Sequence, residues 1–239
     1  MNKRNIHRLR KIINAIELYF MNQDWYGHFD HRILHSERVA GILGNMVSGS
    51  IVLNQEEFFL VIASAWLHDV GYVVWSDLGD EEYISRALQI DAPLAFYYKA
   101  TRETPLEDIH NELSRLYVMR NMKKFNLTKA EAEVLSEICF LHAVSHLDDF
   151  GSKTTRIKDQ EVRVKLLASL LRSADTLDID FSLERILSPT NSLARLNINP
   201  ETLEIVINVK TIKREQIEFD IRKTISSTIE ETNHVLSQY

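Results

Sequence analysis

The sequence predicts a mainly α protein, a helical bundle carrying an appended β-hairpin and a C-terminal helix. Three observations carry that expectation. Only four prolines and seven glycines punctuate the 239 residues. Through most long segments, apolar side chains recur at intervals of three and four, the spacing of one helix face. After Pro189 the pattern changes to alternation of apolar and polar residues, which is the spacing of a half-buried strand.

Taken in order, the periodicity places helices at 3–21, 29–48, 54–69, 79–90, 93–102, 105–124, 129–146, 159–177 and 212–237. The first mixes charged and apolar residues, so it lacks the unbroken apolar core of a signal peptide. The third contains FFLVIASAWL, apolar nearly all round, as a buried helix requires. Two starts are marked by capping boxes, Thr104-Pro105-Leu106-Glu107 and Thr128-Lys129-Ala130-Glu131. ARLNIN and LEIVINVK flank a short turn and predict a hairpin of 194–199 and 203–210. Leu196, Ile198, Leu203, Ile205, Ile207 and Val209 would form its apolar face. The expected organisation is a helical domain over 1–188 and a hairpin with a packed helix over 189–239. The last helix approaches Tyr239 without a Gly or Pro stop, compatible with a piece of a longer chain.

Composition narrows the function classes. A hydrophobic share of 45% is ample for a packed core. The formal net charge is −6 with no long Lys/Arg run, which disfavours long nucleic acids and membrane surfaces as partners. No stretch approaches the ~20 apolar residues of a membrane span. Cys139 is the only cysteine. That excludes an intramolecular disulfide and a zinc-finger thiolate site, and makes the cytoplasm the expected compartment.

The segment WLHDVGY, residues 66–72, raises the functional question, because it ends a buried helix with a histidine beside an aspartate. Such groups are costly to bury unless something pairs with them. Further candidates are His35 in HSERVA, His110 in DIHNELS, His142 in CFLHAVSH and Asp175 in LLRSADTLD. The gaps His35–His68, Asp69–His110, His110–His142 and His142–Asp175 are 33, 41, 32 and 33 residues, about one helical hairpin each. Apart from the adjacent His68-Asp69 pair, each candidate sits on a separate helix, as a site at the centre of a bundle needs.

This H…HD…H…H…D order resembles the HD superfamily of metal-dependent phosphohydrolases. The resemblance implies a helical domain in which His35, His68, Asp69 and Asp175 are the core metal ligands, with His110 and His142 ligands of a second ion. The block order through HNELSRLYV and LLRSADTLDID to a hairpin is similar to HD domains joined to chaperone-like ATPases. It is also similar to the C-terminal HD-like domain of exopolyphosphatase/guanosine pentaphosphatase enzymes, where that domain is an accessory. Tyr72 stands where many relatives that cleave cyclic dinucleotides carry Lys, and their HHE…GYP signature is absent.

Helical geometry sorts the neighbours. Glu107 and Ser114 share a face with His110, whereas Glu112 points elsewhere. Arg172 and Asp178 lie three residues to either side of Asp175, and Arg172 is the candidate for a catalytic phosphate contact or a contact behind the ligands, against an ion pair with Asp175. His31 and His146 are weaker ligand candidates. Lys99 and Arg102 could neutralise phosphate, although a solvated face suits them better. His7, His28 and His234 fall outside the pattern. Imidazole and carboxylate ligands suit Mn, Fe, Co, Ni, Zn or, less well, Mg, and Asp69 has two oxygens with which to bridge two ions. The expected activity is hydrolysis of a nucleotide, a phosphodiester or another phosphorylated small molecule. The competing expectations are a non-catalytic regulatory module, engaging a larger protein partner or a second copy, and an HD-type nuclease, which the acidic balance disfavours.

Overall fold

A computed structural model describes residues 1–21, 29–47, 51–72, 110–144, 147, 154–187, 194–198, 205–209 and 215–238. Among them are α1 (Lys3–Met21), α2 (Phe29–Val47), α3 (Gln55–Leu67), α4 (His110–Asn121), α5 (Lys129–Leu141), α6 (Val164–Leu187) and α7 (Glu215–Leu236). Two antiparallel hairpins complete the set, β1 (Thr154–Ile157) with β2 (Gln160–Arg163), and β3 (Ala194–Ile198) with β4 (Ile205–Val209). The class is mainly α, as expected. No helix among the described residues is long and apolar enough to cross a membrane.

The core is organised around α3. Its apolar run is buried on every side, with Phe59, Leu60, Val61, Ala63, Ala65 and Leu67 fully covered, and it packs against α1, α2, α5 and α6. An unpredicted capping box starts it: Asn54 Oδ1 accepts from the Glu56 and Glu57 amides, and Glu57 Oε2 accepts from the Asn54 amide at 3.0 Å. The box expected at Thr128 is present, with Glu131 Oε2 accepting from the Thr128 amide at 2.7 Å. The box expected at Thr104 and the helices expected at 79–90 and 93–102 lie outside the described residues, as does the start of the helix expected from 105.

Several boundaries differ from the sequence reading. The helix expected at 159–177 begins at Val164 and continues to Leu187, and Gln160–Arg163 form a strand instead. Lys158 adopts a left-handed φ of 57°, turning the chain between β1 and β2. Ile157 and Val162 then point into the core, which stabilises this hairpin against a helical start. The helix expected over 129–146 stops at Leu141 with His142 as its cap. The helix placed at 105–124 ends at Asn121, before a turn closed by Asn126 at φ 56°.

The second hairpin falls within its expected spans, with Ala194, Leu196 and Ile198 pairing with Val209, Ile207 and Ile205; Leu203 lies outside the described residues. In α7, Ile225, Ile229, Thr232 and Leu236 make a buried stripe, and the helix packs along α6.

Candidate metal centre

The centre forms where α2, α6, the end of α3, the start of α4 and the end of α5 converge. His68 follows the last residue of α3 and His142 the last residue of α5. Both use the same device to fix the ring. His68 Nδ1–H donates to the Ala65 carbonyl at 3.0 Å, and His142 Nδ1–H donates to the Cys139 carbonyl. With Nδ1 committed to a carbonyl, each Nε2 presents a lone pair inward, the tautomer a metal ligand needs.

His35 is held differently. Its Nδ1–H donates to Asp178 Oδ2 at 2.6 Å. Arg38 grips the same carboxylate through Nε at 2.6 Å and Nη2 at 2.8 Å. An Arg–Asp–His relay therefore aims His35 Nε2 at the site. That atom lies 3.1 Å from Asp175 Oδ1, 3.5 Å from Asp69 Oδ2 and 3.1 Å from His68 Nε2.

Asp69 divides the centre. Its Oδ2 faces His35 and His68, each at 3.5 Å. Its Oδ1 faces His110 Nε2 at 3.6 Å and His142 Nε2 at 3.8 Å, and those two nitrogens are 3.3 Å apart. Donor groups close enough to hold an ion are formed by His35, His68 and Asp175, and by His68, Asp69 and His142. The donor chemistry fits a divalent ion: imidazole nitrogens, which bind a metal in their neutral form, and carboxylates, oriented by groups behind them.

A backbone lock joins the two halves. Ser114 Oγ accepts from the Gly71 amide at 2.8 Å and donates to the His68 carbonyl. A Cβ on Gly71 would sit 1.9 Å from the His110 carbonyl oxygen, so α4 can approach this turn only because residue 71 is glycine. Tyr72 stacks on the His110 ring with centroids 4.4 Å apart and planes 10° from parallel.

The electrostatics follow from acids gathered in a dry place. Burial works against charge on His35, but the hydrogen bonds to Asp175 and Asp178 outweigh it and push this imidazole up to about 10. His68 is likewise raised, Asp69 and Asp175 overcoming burial. Burial and the neighbouring His68 push His142 down to about 4, so it is neutral. Asp175 is held well below the ordinary carboxylate range, its burial outweighed by His35 and His68. Asp69 is lowered in the same way, with His68 the strongest opposing influence. Both aspartates are ionised.

The structure thus brings together His35, His68, Asp69, His110, His142 and Asp175. Arg172 donates from Nη1 to the Val144 carbonyl at 2.7 Å and pairs with Glu231 at 3.2 Å rather than with Asp175. Of the His35 clamp, Arg38 was not singled out from the sequence, and Asp178 was noted there only as a neighbour of Asp175. The signal was available, since each residue lies three positions beyond a ligand candidate on the same helix. Ser114 does face the site from the same helix as His110, and Glu112 instead pairs with Arg115 at 2.9 Å. His7 and His234 are exposed. His28, Lys99, Arg102, Glu107 and His146 lie outside the described residues, as does the side chain of His31.

A helical bundle with histidines and aspartates converging in this order is an HD-type domain. The chain belongs to the HD-CE family, whose model matches residues 26–182. The matched span runs from just before α2 into α6 and includes all six converging residues. No curated protein and no solved structure matches the chain.

Proposed function

We propose that this protein is a metal-dependent phosphohydrolase acting on a nucleotide, a phosphodiester or a related phosphorylated small molecule, with two divalent ions at its His/Asp centre. The observation that carries this reading is the division of Asp69, whose two oxygens face separate pairs of histidines. On this reading His35, His68, Asp175 and Asp69 would hold one ion, and His110, His142 and the same Asp69 carboxylate would hold the other. Ions held there would supply Lewis acidity toward a phosphoryl oxygen and would lower the pKa of water.

The chain's own residues bind and orient. Asp178 and Arg38 fix the His35 ring, and the Ala65 and Cys139 carbonyls do the same for His68 and His142. Charge supports cation binding. Asp69, Asp175 and Asp178 gather three carboxylates here, and among the described residues the Arg38 guanidinium pairs with Asp178.

The test is metal per chain by plasma mass spectrometry on protein purified without chelators, with Asp69→Ala as control, followed by phosphate release from a nucleotide and phosphodiester panel. About two transition ions per wild-type chain, lost in the variant together with metal-dependent hydrolysis, is the expected result. Absence of bound metal after anaerobic addition of Mn²⁺ or Fe²⁺ would overturn the reading. Metal and nucleotide binding without turnover would favour the regulatory module instead.

A further inference from the structure

We propose that Glu231 and Arg172 are positioning residues for the His142 half of the centre, so that α7, outside the span matched by the family, is a working part of the site. The inference rests on the two-ion reading above. Its starting point is the chain just beyond His142, which its own helix holds weakly. The His142 amide reaches the Ile138 carbonyl at 3.3 Å and the Val144 amide reaches the Leu141 carbonyl at 3.4 Å, both long for such bonds.

Two side chains hold this stretch from outside. Arg172 Nη1 donates to the Val144 carbonyl at 2.7 Å, two residues past His142. Glu231 Oε1 accepts from the Leu147 amide at 2.8 Å, and its other oxygen pairs with Arg172 at 3.2 Å. One carboxylate on α7 therefore fixes both the backbone and the guanidinium that fixes the backbone. Arg172 also sits one turn before Asp175 on α6, so the same strap ends beside both halves of the centre. The helix that carries Glu231 is itself anchored to α6. Thr232 Oγ1 lies 2.6 Å from Ser173 Oγ and 3.2 Å from the Ser169 carbonyl oxygen, all three residues being buried.

The mechanical consequence is specific. His142 Nε2 must sit near Asp69 Oδ1, and the ring is carried by a residue at the very end of its helix. Releasing the strap frees the backbone on one side of that residue and leaves the Asp178–Arg38 clamp on His35 untouched. Loosening should weaken the ion held by His110 and His142, and spare the ion held by His35, His68 and Asp175.

The test is Mn²⁺ titration of the full chain, comparing wild type, Glu231→Ala and Glu231→Gln, with amide exchange at Leu147 as an independent readout. Glu231→Ala should retain one tight ion while the second weakens roughly 10- to 100-fold, the range seen when groups behind metal ligands are lost. Leu147 exchange should accelerate in parallel. Glu231→Gln keeps an acceptor for Leu147 and loses the negative charge that pairs with Arg172, so it should fall between the two; it also keeps the test usable if the alanine variant folds poorly. Two ions at wild-type affinity in Glu231→Ala, or equal weakening of both, would overturn the strap. Fewer than two ions in the wild type would instead overturn the two-ion reading on which it rests.

Discussion

Two clusters of buried acids share this bundle and are neutralised in opposite ways. Around Glu56 and Glu131 the chain supplies its own cations. Arg8 Nη2 lies 2.7 Å from Glu131 and Nη1 lies 3.8 Å from Glu56, while Lys158 reaches them at 2.9 and 3.7 Å. Two carboxylates meet two cations, and the Arg8 guanidinium also caps the Phe59 ring at 4.1 Å. Around Asp69 and Asp175, no lysine or arginine among the described residues pairs with either acid; both face imidazole nitrogens. The difference lies in donor type. Arg and Lys offer only N–H groups, whereas an imidazole with Nδ1 engaged offers a lone pair. The first cluster is a structural joint between α1, α3, α5 and the β1–β2 turn, and the second has the composition of a cation site.

The largest effect that would break this contrast comes from Arg8→Ala. Arg8 and Glu131 both have fully buried side chains, and removing one partner of a buried pair typically costs about 3–5 kcal/mol because it strands the other charge. Lys158 remains beside Glu131, so the low end of that range is expected. The urea midpoint should fall accordingly, while metal per folded chain stays at the wild-type value. A variant that kept its midpoint but lost metal would show the two clusters to be a single unit.

Asp178→Asn is the smaller and sharper counterpart. An asparagine oxygen can still accept from His35 Nδ1, but the charge that pairs with Arg38 is gone. Affinity for the ion held through His35 should drop by roughly 10- to 100-fold, as for other lost partners of metal-ligating histidines. Binding through His110 and His142 should change little. Mn²⁺ titration distinguishes this from Glu231→Ala, because the two variants are expected to weaken opposite halves of the centre. Unchanged affinity for both ions would remove Asp178 from the orienting role.

Much of this site was legible before any coordinates because helices translate spacing into direction. Six chemistry-bearing residues, one pair adjacent and the others a helical hairpin apart, have few ways to be satisfied except together, and the HD-type motifs fixed the order. What failed was the choice between neighbours on one helix. Arg172 and Asp178 flank Asp175 symmetrically in sequence, yet one faces α7 and the other faces His35. Only the packing of α7 and α2 on α6 decides which is which. The β1–β2 hairpin was missed for a local reason. Its strands are four residues long, and its turn uses Lys158 in the left-handed region, without the Gly or Asn that usually signals such a turn.

Acid should separate the clusters by a gentler route. Burial works to raise the Glu131 carboxyl, but the hydrogen bond from Lys158, the Thr128 amide and the charge of Arg8 hold it down at about 2. The unfolded chain titrates this group near 4.5. A depressed folded value means that its stabilisation is complete above the unfolded value and is lost as pH falls from 4.5 through about 2. Glu57, lowered against its burial by Arg163 and the Asn54 amide, acts in the same direction. Glu56 opposes them. Burial and the adjacent Glu131 raise it, so its contribution is present below 4.5 and fades as pH rises through the raised value. The net slope is therefore smaller than Glu131 alone would give. In urea titrations at intervals from pH 6 to pH 3, Glu131→Gln should be less stable than wild type at pH 6. The gap should narrow below about 4.5, where the unfolded wild-type chain takes up a proton at this carboxylate and the folded chain does not. Parallel profiles across that range would mean that the charge of Glu131 contributes nothing the neutral amide lacks, and that the joint around Arg8 is held by packing on Phe59.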